Sequence, residues 1–202
     1  MTARRTFLTL ALASFTLAIA PLASADAEPP AQAFIRSKQE LLMKLVKEGK
    51  PDADVDKIFN SLLNYDALAE ASLGSEWGAR TADEKAEFTK LLSQLVRNSY
   101  RKNLKNTLGY KISYTKTEKV NGRDVVYTEA ENLKKPREEK VVINYFITGE
   151  GDQRRVVDVV TEETSMVASY RSNFTKVIKK DGFPKLIEKM KKKVASGSTK
   201  AD

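Results

Sequence analysis

The chain has 202 residues and carries 35 lysines and arginines against 27 acidic residues, which gives a formal net charge of +8 at neutral pH. It contains no cysteine and no histidine, so disulfides and a cysteine-linked lipid anchor are excluded and the usual ligands of zinc, copper and haem are missing. The commonest catalytic base and the thiol nucleophile are missing as well, which disfavours an enzyme that depends on either.

The N-terminus is typical of an export signal. Arg4 and Arg5 precede an uncharged apolar run at 7–20, and residues 23–25 have the small-x-small pattern of a cleavage site. We predict cleavage after Ala25 and a periplasmic mature protein. The arginine pair also fits a twin-arginine signal, so the sequence leaves both export routes open. A retained membrane anchor is the alternative to cleavage, but the apolar run is short for one.

The first half of the mature chain is predicted to be helical. Thr81 and Glu84 form a capping box at the start of the longest helix, and Gly74 ends the helix before it. Asp52 or Asp54 is expected to cap the second helix. Apolar residues recur at helical spacing over four segments, at 34–47, 52–63, 66–73 and 82–103.

The second half begins with strands and ends with helices. Side chains alternate from Tyr110 onward, and Asn121-Gly122 is a strong hairpin signal. Gly182 ends the first closing helix, and Pro184 suits the first turn of the next. Four strands are predicted, at 110–114, 123–130, 140–148 and 155–162. This order of elements predicts an α+β domain with one antiparallel sheet.

The mature chain is expected to form one domain without internal repeats or an inner linker. Residues 26–33, rich in alanine and proline, are predicted to be a flexible lead-in. The domain proper spans 34–195, and a polar tail follows at 196–202.

The third predicted strand is apolar on both faces. One face carries Val141, Ile143, Tyr145 and Ile147, and the other carries Val142, Asn144, Phe146 and Thr148. Either helices cover both faces or one face lines a cavity, and periodicity does not separate the two. We assign the cavity to the first face because Asn144 and Thr148 make the second less uniformly apolar. The Phe146 face is then expected to be close-packed core.

Two blocks of the sequence resemble one protein family. The first spans 65–77, ends in Leu-Gly-x-x-Trp, and is followed by the capping box and Phe88. The second joins Asp-Val-Val at 158–160 to Tyr-Arg-Ser-Asn-Phe at 170–174 and Asp-Gly-Phe at 181–183. In order and spacing they resemble the MlaC family, also called the toluene-tolerance family, of periplasmic phospholipid-binding proteins. The match extends along nearly the whole mature chain.

The resemblance implies a fold and a function. The implied fold is a single α+β domain in which a curved four-stranded antiparallel sheet and helices enclose an apolar pocket, similar to the nuclear-transport-factor-like cone. The implied function is to shuttle phospholipid between an outer-membrane lipoprotein complex and an inner-membrane ABC transporter with an MCE-domain subunit, which maintains outer-membrane lipid asymmetry. Phospholipid is then the cargo, no cofactor or metal is expected, and the protein is expected to be a monomer. The chain departs from the family at Arg154, Val157 and 163–164, near the expected rim of the pocket.

The residue pattern and the resemblance together predict site residues. Arg171, at the edge of an apolar helical stripe, is expected to meet the head-group phosphate, or else to form a salt bridge with Asp158 or Asp181. The residues expected to line the pocket for acyl chains are Val141, Ile143, Tyr145, Ile147, Val157, Val159, Leu95, Tyr100, Val167, Tyr170 and Phe174. Partner docking is expected on the last helix, unless its lysines form only a solvated face; these are Lys185, Lys189, Lys192 and Lys193.

Two other functions are considered. Cone folds also house isomerases and dehydratases, and Asp158 would then be the base; a strongly raised carboxylate pKa would favour this function. Alternatively, the protein is an envelope adaptor that binds a partner through the basic helix and carries no lipid. In an exported protein, the positive charge favours acidic proteins or anionic lipid surfaces as partners rather than nucleic acid.

Overall fold

The computed structural model describes residues 27–197, without the side chains of residues 102–106. The predicted export signal and residues 198–202 of the predicted tail lie outside the described residues. Within this part of the chain, no helix is both long and apolar enough to cross a membrane. The helices are α1 Pro30–Lys47, α2 Asp52–Leu62, α3 Tyr65–Leu73, α4 Ala82–Thr107, α5 Met166–Asp181 and α6 Phe183–Ala195. The strands are β1 Tyr110–Val120, β2 Arg123–Asn132, β3 Val141–Thr148, β4 Arg155–Thr161 and β5 Thr164–Ser165.

Helix α1 begins earlier than the sequence pattern predicted. Pro30 lies in its first turn, and Ala31 and Ile35 are buried in the core. Proline suits this position because the first amide groups of a helix have no partner inside the helix. Part of the predicted flexible lead-in at 26–33 is therefore helical.

The longest helix begins at the predicted capping box. The N–H of Thr81 donates to Glu84 Oε2 at 2.9 Å, and the N–H of Glu84 donates to Thr81 Oγ1 at 3.2 Å. Helix α3 is capped in a related way, because the side chain of Asn64 accepts a hydrogen bond from the N–H of Ala67. Both starts are local hydrogen-bond arrangements that satisfy otherwise unpaired amide groups.

Helix α2 lacks the predicted aspartate cap. Pro51 precedes the helix and makes no side-chain cap hydrogen bond. Asp52 and Asp54 both lie inside the first turn, where their charge interacts favourably with the helix dipole. The helix is therefore supported by charge rather than by a capping hydrogen bond.

The strands form one antiparallel sheet in sequential order, from β1 to β5. Asn121 and Gly122 join β1 to β2 with φ angles of 50° and 77°. These positive values are those of the tight hairpin turn that Asn-Gly favours, so the predicted hairpin is confirmed.

The sheet has five strands rather than the predicted four. The short strand β5 pairs with the end of β4, with Ser165 opposite Val160. Glu162 and Glu163 form the turn between them, with φ angles of 48° and 63°. Such turns usually carry asparagine, aspartate or glycine, so two glutamates did not indicate a hairpin in the sequence.

One face of the sheet packs against the helices and is called the inner face. Val126, Ile147, Val156 and Val159 belong to one core with the buried helix residues, and Ile143 packs against that core. Within the helical layer, the centre of the Phe88 ring of α4 lies 5.4 Å from that of Phe174 of α5, with the two rings edge to face. It lies 6.3 Å from the centre of the Phe183 ring of α6. The core therefore lies between the inner face and the helices.

The opposite, outer face is not a close-packed core. It carries the charged side chains of Lys116, Glu118 and Glu129, and Val142 on this face is 40% exposed. Phe146 lies here as well and is only half-buried. The expectation that the Phe146 face is core is therefore wrong. Val125, opposite Phe146 on the same face, is nevertheless fully buried.

Candidate functional site

Five tyrosines pack against the core from several elements. Tyr114 and Tyr145 come from the inner face of β1 and β3, Tyr100 from α4, Tyr170 from α5 and Tyr65 from the start of α3. All five side chains are partly rather than fully buried. The fold thus brings together tyrosines from both halves of the chain, from Tyr65 to Tyr170.

The tyrosine hydroxyls lie in a poorly solvated environment. Burial raises the pKa of Tyr145 to about 12 and raises the pKa of Tyr100, Tyr114 and Tyr170 above the ordinary value. For Tyr100, the neighbouring hydroxyls of Tyr145 and Tyr170 raise the pKa further, because a second phenolate nearby would repel the first.

These enclosed side chains still keep accessible surface. Tyr100 and Tyr145 are surrounded deeply enough for burial to dominate their pKa, yet neither is closed off by close packing. We propose that these five side chains border an interior space between the sheet and the helices. We call this candidate space, bordered by Tyr65, Tyr100, Tyr114, Tyr145 and Tyr170, the tyrosine pocket.

A glutamine from α1 joins two of these tyrosines. Gln39 Nε2 donates to Tyr145 Oη at 2.8 Å, and the Tyr114 hydroxyl donates to Gln39 Oε1. The three polar side chains therefore pair with one another and attach α1 to the sheet. Gln39 and Tyr114 were not among the predicted site residues, because nothing in a single glutamine indicates partners 75 and 106 residues away.

The predicted lining residues divide into two groups. Half-buried side chains, which are available to border a pocket, are Val141, Ile143, Tyr145, Tyr100 and Tyr170. Buried side chains are Ile147, Val157, Val159, Leu95, Val167 and Phe174. In the second group Ile147 has no exposed surface at all and is part of the close-packed core.

Val157 and Val167 lie apart from the tyrosines. The register between β3 and β4 shifts next to Ile147 and leaves Val157 without a partner on β3. Val157 and Val167 line a surface cleft of about 390 Å³ between α3, β4 and α5, together with Arg171. None of the tyrosines that border the pocket lines this space, which we call the Arg171 cleft.

The side chain of Arg171 is held by the end of α3. Its Nε donates to the carbonyl oxygen of Ala71 at 2.8 Å, and its aliphatic part lies against Gly74. It forms no salt bridge with Asp158 or with Asp181, which pairs with Lys189 at 2.9 Å. The salt-bridge alternative for Arg171 is therefore wrong.

Asp158 closes the start of α5. Its Oδ1 accepts hydrogen bonds from the N–H groups of Val159 at 2.8 Å and Val167 at 3.1 Å, and its Oδ2 accepts from the Ser165 hydroxyl at 2.5 Å. Ser165 Oγ in turn caps α5 by accepting from the N–H of Ala168. The carboxylate thus connects β4, β5 and α5 through three accepted hydrogen bonds, and its charge adds to the effect of burial in raising the pKa of Tyr100.

Most of the predicted docking lysines are paired with acidic side chains. Lys185 and Lys192 contact Glu188 at 2.7 and 2.6 Å, and Lys189 contacts Asp181. Hydrogen bonds from the two lysines hold the pKa of Glu188 down at about 2. Three of the four predicted docking lysines therefore have acidic partners within the protein, two of them sharing Glu188. Lys193, the fourth predicted residue, is half-buried near the end of the helix.

The described residues contain no group of three or more acidic side chains that could hold a metal ion. The polar groups that the fold brings together are instead tyrosines, one glutamine and arginines. These are groups for hydrogen bonding and for contact with an apolar or anionic ligand.

Comparison with known proteins identifies relatives of this fold. Residues 37–192 match the family model described as MlaC protein. The structure of a phospholipid-binding protein from Ralstonia solanacearum, determined in complex with a phospholipid, is similar with a TM-score of 0.70 and 16% identity. The similarity covers 84% of this chain and 99% of that one, and it confirms the predicted fold class. No curated protein matches the chain.

Proposed function

The chain belongs to the MlaC family, and we propose that it is a phospholipid carrier that holds the acyl chains of its cargo in the tyrosine pocket. The observation that carries this proposal is the family match over residues 37–192. The pocket supports it, because enclosed aromatic side chains with accessible surface are what a ligand-binding interior requires. The similar Ralstonia protein was determined with a phospholipid bound, and the same class of ligand is proposed for this chain.

The energetics favour a protein container for such a ligand. Each buried methylene is worth about 0.8 kcal/mol, so two chains of about 15 methylenes would cost on the order of 24 kcal/mol to expose to water. Moving the chains from a bilayer into an apolar pocket is far closer to neutral. A carrier works because its pocket resembles the bilayer, which makes both uptake and delivery possible.

The polar groups of the pocket are compatible with acyl chains. Gln39, Tyr114 and Tyr145 satisfy one another by hydrogen bonds, so the wall has fewer polar atoms in need of water. Ile143, on the same face as Tyr145, adds half-buried aliphatic surface. The side chains that define the pocket are therefore aromatic or aliphatic apart from Gln39. At its Tyr65 edge, the Arg97 guanidinium lies 5.6 Å from the centre of the tyrosine ring.

The finer proposal concerns the place and route of transport. We propose that the protein works in the periplasm and moves phospholipid between an outer-membrane lipoprotein complex and an inner-membrane ABC transporter with an MCE-domain subunit, as the family resemblance implies. This activity maintains the lipid asymmetry of the outer membrane. The family and the similar structure favour a binding and transport protein over an enzyme.

Native mass spectrometry and a transfer assay test the proposal. Gently purified protein is expected to carry phospholipid, and protein emptied of lipid is expected to take it up from vesicles and release it to acceptor vesicles. Protein that is consistently empty and takes up no lipid would contradict the proposal. An empty protein that still binds an envelope partner would support the adaptor function instead. The head-group role of Arg171 stays a prediction, which the lipid occupancy of an Arg171→Gln variant tests.

A further inference from the structure

Two arginines contribute to the lining of the Arg171 cleft. Arg171 of α5 and Arg123 of β2 both line it, and neither forms an ion pair with any residue in the range 27–197. Other arginines are used differently: Arg97 and Arg101 both contact Asp56. The cleft therefore presents positive charge that the described part of the protein does not balance with a salt bridge.

Arg171 is held in place before any ligand arrives. The hydrogen bond from its Nε to the oxygen of Ala71 fixes one side of the guanidinium. Its aliphatic part occupies the space over Gly74, where an added Cβ would lie 3.3 Å from Nε. The two terminal nitrogens remain available, and a planar guanidinium presents such nitrogens to a carboxylate or phosphate as a pair of parallel donors.

The positive charge continues along the exposed side of α5. Lys176 and Lys179 line an adjoining depression together with Arg171, and within the described residues neither lysine forms an ion pair. We call the surface of Arg123, Arg171, Lys176 and Lys179 the α5 strip. It differs from α6, where Lys185 and Lys192 share Glu188 as an ion-pair partner and Lys189 pairs with Asp181.

Two acidic side chains lie close to the α5 strip. Asp158 lines the Arg171 cleft, but both of its oxygens already accept hydrogen bonds from the start of α5. Glu163 lines a separate depression on the other side of Ser165. Neither reaches Arg171 as an ion-pair partner.

We propose that the α5 strip is a docking surface for an acidic segment of a partner protein, with a carboxylate seated in the Arg171 cleft. Charge complementarity and the recessed cleft carry this assignment. A membrane surface fits less well, because none of the exposed large apolar side chains, Leu41, Leu133 and Val142, lies on the strip to insert among lipids. The proposal moves partner docking from the α6 lysines to α5.

A synthetic hexaglutamate peptide is the probe for this surface. Its affinity for the lipid-loaded mature protein is measured by fluorescence anisotropy at low and high salt. Arg171→Gln and Arg123→Gln are each expected to weaken binding about tenfold, because each removes a charge-assisted contact to a carboxylate. A Lys189→Gln/Lys192→Gln double variant removes more charge from already paired positions and is expected to change binding by less than about twofold.

Several outcomes would overturn the proposal. Unchanged peptide affinity in both arginine variants contradicts it, and so does an equal loss in the double lysine variant, which would indicate a non-specific charge effect. Arg123→Gln keeps the test valid if Arg171→Gln does not fold, because the exposed side chain of Arg123 makes no hydrogen bond or ion pair within 27–197.

The same variants separate the other possible ligands. If Arg171→Gln lowers phospholipid occupancy in native mass spectra while peptide affinity is unchanged, Arg171 is a head-group contact and the docking proposal fails. If binding to phosphatidylglycerol vesicles falls and peptide affinity does not, the strip is a membrane surface and the proposal also fails. Peptide binding is measured with lipid-loaded and emptied protein, so failure of the carrier function and failure of the docking surface are distinguishable.

Discussion

At the scale of single residues, adjacent positions on β3 have opposite environments. Ile143 lies on the inner face and packs half-buried against the core, whereas Val142 lies on the outer face and is 40% exposed. The two residues provide a matched test of the pocket, because they are adjacent on the same strand and both can be replaced by glutamate.

Ile143→Glu is expected to give a folded protein that has lost its phospholipid. A carboxylate in a close-packed core costs several kcal/mol, but an emptied pocket can admit water that solvates the charge. Val142→Glu is the control and is expected to keep its lipid. The measurements are the lipid-to-protein ratio and thermal melts of both variants. Unfolding of Ile143→Glu alone would mean that Ile143 belongs to the close-packed core and does not border the pocket.

Tyr145 makes stability depend on alkaline pH. Burial raises its pKa from 10 to about 12, so the folded state favours the neutral hydroxyl. The resulting stabilisation is complete below pH 10 and is lost as the pH rises toward 12, by about 2 kcal/mol at most for a group that is only partly buried.

The Tyr145→Phe variant isolates this contribution. It is expected to be less stable than the parent protein at neutral pH, because Gln39 Nε2 loses its acceptor. Between neutral pH and a pH of about 11.5, however, its free energy of unfolding is expected to fall by less than that of the parent. Urea unfolding at both pH values measures the two differences. If the free energy of unfolding falls by the same amount in both proteins between the two pH values, Tyr145 does not contribute to the alkaline instability.

At the scale of elements, one carboxylate determines how α5 is attached to the sheet. Asp158 of β4 holds the hydroxyl of Ser165 and the N–H of Val167, which lie at the first turn of α5. The helix thereby starts at a defined point on the sheet, which places Tyr170 at the tyrosine pocket and Arg171 at its own cleft.

Asp158→Ala is expected to lower the free energy of unfolding by about 2–3 kcal/mol, because hydrogen bonds to a charged group are lost and buried donors are left unpaired. Asp152→Ala is the control, since this exposed side chain makes no side-chain hydrogen bond within the described chain. Urea unfolding of both variants gives the comparison. A loss below about 0.5 kcal/mol for Asp158→Ala, the size of an ordinary surface substitution, would contradict the structural role.

At the scale of the whole molecule, the buried core lies between the inner face of the sheet and the helices. The space between the inner face and the helices is bordered by α1, α4 and α5 through Gln39, Tyr100 and Tyr170. A ligand in this space would contact several elements at once. Its binding should therefore stabilise the fold as a whole rather than one segment.

Phospholipid-loaded protein is expected to melt at a higher temperature than the same protein after lipid extraction. A ligand present at about 100 times its dissociation constant stabilises the folded state by about 2.7 kcal/mol, which corresponds to a shift of roughly 5–10 °C for a domain of this size. Differential scanning calorimetry before extraction, after extraction and after reloading measures the effect. Identical melting temperatures in the three samples would contradict binding inside the domain.

The sequence alone determined the features that depend on local interactions. The capping box at Thr81, the Asn121-Gly122 hairpin and the stop at Gly182 each involve residues a few positions apart, so the sequence pattern contains all the participants. The order of elements, and with it the α+β class and the family resemblance, follows from such local patterns.

Only the tertiary structure decided which groups meet across the chain. It showed that Phe146 is only half-buried, that Gln39 joins two tyrosines, and that Arg171 contacts a backbone oxygen instead of an acid. It also showed that the α6 lysines are paired, although the sequence presents them as a basic surface. The physical reason is that the free energy of a side chain depends on the partners the fold supplies, and partners distant in sequence leave no local pattern.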